Sequence, residues 1–246
     1  LQFLRDHNDH NILFSLGVNK KTMGIYNYLD IHTGYLDHYI IINSKIHNFN
    51  ILKIESNNHI KKMQFIEDSQ YQFVQLDKNS FNPDSDSCFD FDFKNNKFIP
   101  CKDRDYFVKR FLNHPLYKYN VYGIYKASLP SSLVVTRKVT IGDSSILRIV
   151  DYTGNDHDIV YFSKFLYQIM IDRDYEYIDF ACFGFDSVAL KKAGFEKIKL
   201  ESEEVVAPSY FNPLLKENIK INFMIDTKRT SKIRFCIADG DQDRPV

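Results

Sequence analysis

His38, Arg137 and Arg148 are the side chains whose type and setting point most directly to chemistry in this chain. His38 stands in the run Asp37-His38-Tyr39 on a hairpin, where an imidazole can take a proton near neutral pH; the plainer expectation is a histidine at the surface or core edge. Arg137 and Arg148 fall in strands that the pattern makes neighbours. Two such guanidinium groups suit an acidic sugar or a phosphate, with pairing on the sheet surface as the alternative. His114, before Pro115, reads as the end of a helix, and Glu203-Glu204 as an exposed turn. The acid groups Asp84/Asp86/Asp90/Asp92 and Asp239/Asp241/Asp243 have carboxylates enough for calcium but lack the loop glycine and closing glutamate of an EF-hand. Both read as solvated turns, and no metal is expected. Cys88, Cys101, Cys182 and Cys236 form no C-x-x-C pair, which predicts single thiols and not a zinc site or disulfide framework. With no nucleophile elbow, phosphate-binding Walker loop or H-E-x-x-H run, hydrolase, NTPase and zinc-protease readings have no support.

Positioning these groups needs regular elements, and the pattern supplies them. Residues 1–8 read as the end of a helix, 11–16 as a strand stopped by Gly17, and 20–29 as a helix burying Met23, Tyr26 and Leu29. Strands are expected at 31–35, 38–43, 51–54 and 71–76, where β-branched residues make a helix uncomfortable. Turn residues loosen the pattern over 77–103 before a helix at 105–113 and strands at 119–126, 133–139 and 146–150. Ile159, Phe162, Phe165, Leu166 and Ile169 define an amphipathic helix over 156–171, with Asn155 or Asp156 as its cap. A strand at 177–183, a short helix at 187–193 ended by Gly194, and strands at 196–200, 219–225 and 233–238 complete the set. The fold class that follows is α/β: a mixed, mostly antiparallel sheet with helices on both faces.

The composition bounds the rest. The 246 residues are 44% hydrophobic and 26% charged, with 32 Lys+Arg against 32 Asp+Glu and no Trp, which excludes disordered, collagen-like and coiled-coil classes. Zero net charge weighs against a dedicated nucleic-acid partner, and no apolar run approaches the roughly 18 residues of a membrane span. A small-molecule substrate, a cytoplasmic location and a homodimer are the expectations.

The order of helix, three antiparallel strands, helix, strand and short helix ending in Gly-Phe resembles the GNAT (GCN5-related N-acetyltransferase) superfamily over residues 104–225. The local likeness is Ser187-Val-Ala-Leu-Lys-Lys-Ala-Gly-Phe195 after the strand Asp179-Phe-Ala-Cys-Phe183. Ser15-Leu-Gly17, the helix through Tyr26 and the hairpin Thr33-Gly-Tyr-Leu36 repeat the order around Gly184. The resemblance therefore implies two copies in series: 1–78 as the C-terminal part of a first GNAT-like domain, 79–103 as a linker, and 104–246 as a second. Leu1 would then fall inside the first domain. The arrangement is similar to acyltransferases encoded with bacterial surface-polysaccharide genes, and to the tandem FemABX group.

That resemblance implies acetyl-CoA or another acyl-CoA as co-substrate, held where a splayed parallel strand pair opens within 133–183. Its pyrophosphate would lie on backbone N–H groups opening a helix, which places Gly154 and Asn155 as cofactor-binding residues. Asp151, Asp156 and Asp158 bring negative charge to that loop, which implies that the second domain has lost CoA and that the acids cap the helix. The family's thiolate-protonating tyrosine maps onto Leu190 in the second copy and onto Tyr26 in the first. Tyr26 and His38 are thus the catalytic candidates, and Arg137 and Arg148 the substrate-binding ones. The implied function is N-acylation of an amino sugar or nucleotide sugar. A non-catalytic binding or assembly protein and a FemABX-like aminoacyl transferase are the alternatives, the latter disfavoured by the lack of Lys/Arg clusters.

Overall fold

Phe, Tyr, Ile, Val and Leu supply most of a core laid over both faces of one long sheet. The structure, a computed structural model, describes residues 12–95, 98–227 and 232–243; the helix expected at 1–8 lies outside them. In chain order the described elements begin with β1 (Ile12–Leu16), α1 (Met23–Tyr28), β2 (His32–Tyr35), β3 (Asp37–Ile42), β4 (Lys53–Ile54) and β5 (Tyr71–Leu76). Then come α2 (Arg104–Phe107), extended by a wider turn over Val108–Leu112, and β6 (Tyr119–Lys126), β7 (Leu129–Ile141) and β8 (Ser144–Gly154). The chain closes with α3 (Asp158–Asp172), β9 (Tyr177–Phe183), α4 (Ser187–Lys192), β10 (Glu196–Lys197), β11 (Val205–Val206), β12 (Asn222–Thr227) and β13 (Phe235–Cys236).

The main sheet runs β10-β3-β9-β8-β7-β6-β5, with β13 added against β9. All its pairings are antiparallel except β8 with β9. The expected mixed, mostly antiparallel α/β fold is therefore present. In the centre of the sheet Leu133–Val135 and Ile146–Ile149 are buried on both faces, so the first reads as an unbroken apolar run and the second is interrupted only by Arg148. One face carries α3 and α4; Ile159, Phe162, Leu166 and Met170 of α3 are buried at the three- and four-residue spacing of a helical stripe. The opposite face is covered by α2, through Phe107 and Phe111, and by the chain over 79–99.

Three local expectations need correction. α1 forms but buries no residue: Ile25 is 58% and Tyr28 89% exposed, and no element among the described residues covers it. Neither Asn155 nor Asp156 caps α3 in the ordinary way. Asn155 Oδ1 takes the His157 N–H, while Asp158 turns inward to accept from Ser131, Ser132 and Tyr71. The 79–103 stretch packs as core and is not a free link. Phe81, Phe89 and Ile99 are fully buried, and Phe89 lies so close to β6 that a Cβ on Gly123 would sit 2.5 Å from its ring. The Phe89-Asp-Phe-Asp-Phe93 run forms no strand; its aromatic side chains are its anchor.

The segment 1–78 does not fold apart from 104–246. Strands β3 and β5 belong to the same sheet as β6–β9. A second, three-stranded sheet has the order β1-β12-β2, so a late strand in turn lies between two early ones.

Candidate functional site

The parallel contact between β8 and β9 is short. Only Leu147, Arg148 and Ile149 pair with Ile178, Asp179 and Phe180. Past Ile149 the register of β8 on β7 shifts by one residue, a bulge that leaves Val150 as the extra residue and brings Asp151 to the same side as the α2 layer. From there β8 and β9 diverge. The expected splayed pair is present, and its opening faces the start of α3.

The chain itself occupies that opening. β13 pairs antiparallel with β9, Phe235 opposite Phe183 and Cys236 opposite Cys182. On its other side the Cys236 thiol lies 4.0 Å from the Tyr152 carbonyl of β8. Just before it, Arg234 donates to the Gly154 carbonyl at 2.9 Å, pairs with Asp156, and stacks between the rings of Phe98 and Phe185. Burial pushes the Asp156 carboxyl up, and Arg234 partly offsets it.

Three N–H groups of the loop opening α3 are spoken for. Gly154 has a φ of +115°, and a Cβ there would meet the Ser131 carbonyl at 2.4 Å, so the backbone is pressed onto β7. The Asn155 N–H goes to Ser132 Oγ at 2.9 Å, the His157 N–H to Asn155 Oδ1 and the Asp158 N–H to the Asn155 carbonyl. An acyl-CoA diphosphate at this position would have to displace those bonds and sit beside Asp156 and Asp158. The pantetheine arm of such a donor would need the space that β13 fills. The residues present at the fork do not fit acyl-CoA.

Behind the fork lie three buried polar networks, which sequence reasoning identified only in part. In the first, Arg148 of β8 meets Asp179 of β9 through Nε at 3.0 Å and Nη2 at 2.6 Å, and gives its remaining hydrogens to the Pro208 and Ser209 carbonyls. His38 of β3 reaches the same carboxylate, Nε2 to Oδ2, at 3.1 Å, while its Nδ1 and the Tyr177 hydroxyl are buried without partners among the described residues. Burial alone would raise the Asp179 pKa, but Arg148 and then His38 outweigh it and hold it below the usual carboxylate value. The structure thus brings two predicted residues, His38 and Arg148, onto one acid. Both are interior: His38 is 3% and Arg148 1% exposed, so neither lies at the surface.

The second network gathers Arg137, Arg110 and Tyr119 around Asp243; Tyr119 donates to its carboxylate at 2.7 Å. The third joins Lys102, Asp151 and Asp239, with Tyr106 donating to Asp151 at 2.7 Å. Burial opposes the Lys102 charge, yet Asp151 and Asp239 hold its pKa above normal. Burial pushes Asp239 up to about 6 in spite of Lys102. The acids 239 and 243 are therefore not solvated turns: each is inside, facing cations that precede it by more than a hundred residues. Their alternation with polar residues hid that, because the partners are distant in sequence. Tyr26 lies apart on α1, half-buried, with no hydrogen-bond partner for its hydroxyl among the described residues.

Among the described residues no group of three or more His, Cys, Asp or Glu is placed to hold a metal ion, and no helix is long and apolar enough to cross a membrane. All four cysteines are free thiols.

No protein-family model matches this chain, and no curated protein does. Among solved structures it is similar to a GCN5-related N-acetyltransferase from Anabaena variabilis ATCC 29413, with a TM-score of 0.47 and 11% identity. That superposition covers 92% of this chain and 48% of the other, so the chain spans about half the length of the Anabaena protein. A functionally unknown conserved protein from Staphylococcus epidermidis ATCC 12228 has a TM-score of 0.46 at 9% identity, covering 92% of this chain and 76% of that one.

Proposed function

We propose that this chain is an acyltransferase-type protein of GNAT-like form whose trailing half, 104–246, is non-catalytic and supports the rest. What carries the reading is one observation: β13 pairs into the fork between β8 and β9, and Arg234 and the Asp156 carboxylate close the adjoining loop. In this reading the division at 1–78, 79–103 and 104–246 describes ancestry, and the two halves have exchanged strands. His38, Arg148 and Arg137 position the interior of the support half. An amino sugar or nucleotide sugar as acceptor, acyl-CoA as donor, a polysaccharide role, the cytoplasm and a homodimer are carried as parts of this proposal.

A second reading places acyl transfer with the β1–α1–β2 unit, and the unpartnered hydroxyl of Tyr26 favours it. That phenol is free to protonate a departing thiolate.

Thermal shift and hydrogen exchange with acetyl-CoA and desulfo-CoA test both. The first reading expects no hydrogen-exchange protection of residues 12–35 or of the fork at millimolar ligand, whatever binds elsewhere. Protection confined to residues 12–35 supports the second, which Tyr26→Phe must then weaken in turnover. Protection of β8 and β9 at the fork overturns both.

A further inference from the structure

A groove of about 1080 Å³ lies between the chain over 59–66, α4 and the edge strand β10. Its volume is at the upper end for small-molecule sites. The floor is apolar, built from Tyr39, Met63, Phe195, Ile198 and Val205. Met63 packs directly over Gly194. Its Cε stands where a Cβ on Gly194 would be, and Gly194 has a φ of +90°, so this approach needs glycine. Ile66 and Val188 are exposed at its mouth.

The rim is charged in one sense. Six lysines line the groove against two glutamates, in a chain whose charges otherwise balance. Lys61 pairs with Glu196, and Lys197 with Asp37 at 2.7 Å. Lys62, Lys191, Lys192 and Lys199 are in no ion pair among the described residues. The C-terminal end of α4 accommodates Lys191 and Lys192, but it does not neutralise Lys62 and Lys199. An apolar trough ringed by unneutralised ammonium groups attracts an anion with more than one charge and an apolar part. The cations are all lysines, which bind phosphate as point charges. Inorganic diphosphate alone would leave most of the volume and the whole floor unused.

We infer that this groove binds a diphosphate-bearing small molecule with an aromatic or apolar body. A free nucleoside diphosphate has that chemistry. The inference does not rest on the acyl-transfer reading, and the behaviour of the fork toward acetyl-CoA leaves it untouched.

Calorimetry on the full chain tests it with three probes: uridine diphosphate, inorganic pyrophosphate, and phosphatidylcholine vesicles containing phosphatidic acid. Uridine diphosphate should bind saturably and more tightly than pyrophosphate, with affinity falling as salt rises. Lys191→Ala/Lys192→Ala and Lys62→Ala/Lys199→Ala should each weaken it about tenfold without moving the Tm of the free protein. Lys20→Ala/Lys21→Ala, on the other unit, should leave it unchanged. Binding to the vesicles alone would overturn it, because phosphatidic acid offers a single phosphate on a membrane surface and not a free diphosphate. It is overturned if none of the probes saturates, if pyrophosphate binds as tightly as the larger probes, or if the Lys20/Lys21 variant weakens binding as much as the groove variants.

Discussion

Two units of this protein have the same connectivity and opposite surroundings. β1–α1–β2 and β9–α4–β10 are each a strand, a glycine with φ near +80° (Gly17, Gly184), a short helix and a strand. Each pair of strands also encloses a strand from the other half: β12 lies between β1 and β2, and β3 between β9 and β10. All four pairings are antiparallel, with Tyr39 opposite Phe180 in one unit and Met224 opposite Ser15 in the other. The trailing unit sits in the main sheet, with Ala189 and Leu190 of its helix buried; the leading unit leaves its helix uncovered. Connectivity alone therefore does not set burial. The neighbours supplied by the rest of the chain decide which unit becomes core.

The comparison breaks most sharply at the trailing unit's buried charge. Asp179→Ala strands Arg148 and His38 in the interior, and should cost about 3–5 kcal/mol in urea unfolding. A loss below about 1 kcal/mol would mean that this carboxylate does not hold the parallel contact together.

Next come the two helices. Leu190→Ala removes a side chain 1% exposed and should cost about 2–5 kcal/mol, whereas Tyr28→Ala on α1 should stay within about 0.5 kcal/mol. Equal costs would erase the contrast in burial.

The paired glycines sharpen it further. Alanine at either suffers the left-handed backbone penalty, roughly 1–2 kcal/mol. At Gly17 the new Cβ meets only the Gln242 side chain, which can move; at Gly184 it meets the Ile233 carbonyl at 2.0 Å. Gly184→Ala should therefore lose about 1–3 kcal/mol more than Gly17→Ala in thermal melts, because the backbone leading into β13 must shift.

The smallest effect is a pH trend. Asp239 has its pKa raised from 3.8 to about 6, so the folded protein holds this proton where the unfolded chain has lost it. Its contribution to stability falls as pH rises from about 4 to 6, while Asp179, shifted down, loses its contribution as pH drops below the ordinary carboxylate range. The Tm difference between wild type and Asp239→Asn should decrease from pH 4 to pH 6. A flat or rising difference would remove Asp239 as the source.

Several elements were legible because their signals are local. The strands 71–76, 119–126 and 177–183 stand where alternation and β-branching put them, and Gly184 and Gly194 end elements as expected. The stretch 77–103 was misread because its turn residues outweighed five phenylalanines, whose burial depends on Gly123 and α2 far along the chain. For the site, His38 and Arg148 could be picked out by type, but nothing local marked Asp179 as the acid between them. Glu176 was missed for the same reason; it accepts the backbone N–H groups of Asn50, Ile51 and Leu52.

The sequence by itself determined the class of fold, since a period of two or of 3.6 residues is written in neighbouring side chains. It also marked the loop after β8 as too acidic for a diphosphate, because charge is a property of residue type. Only the tertiary structure decided that strands are exchanged between the two units and that β13 enters the fork. Both depend on pairing between segments far apart in the chain, which burial and register set and no local pattern encodes.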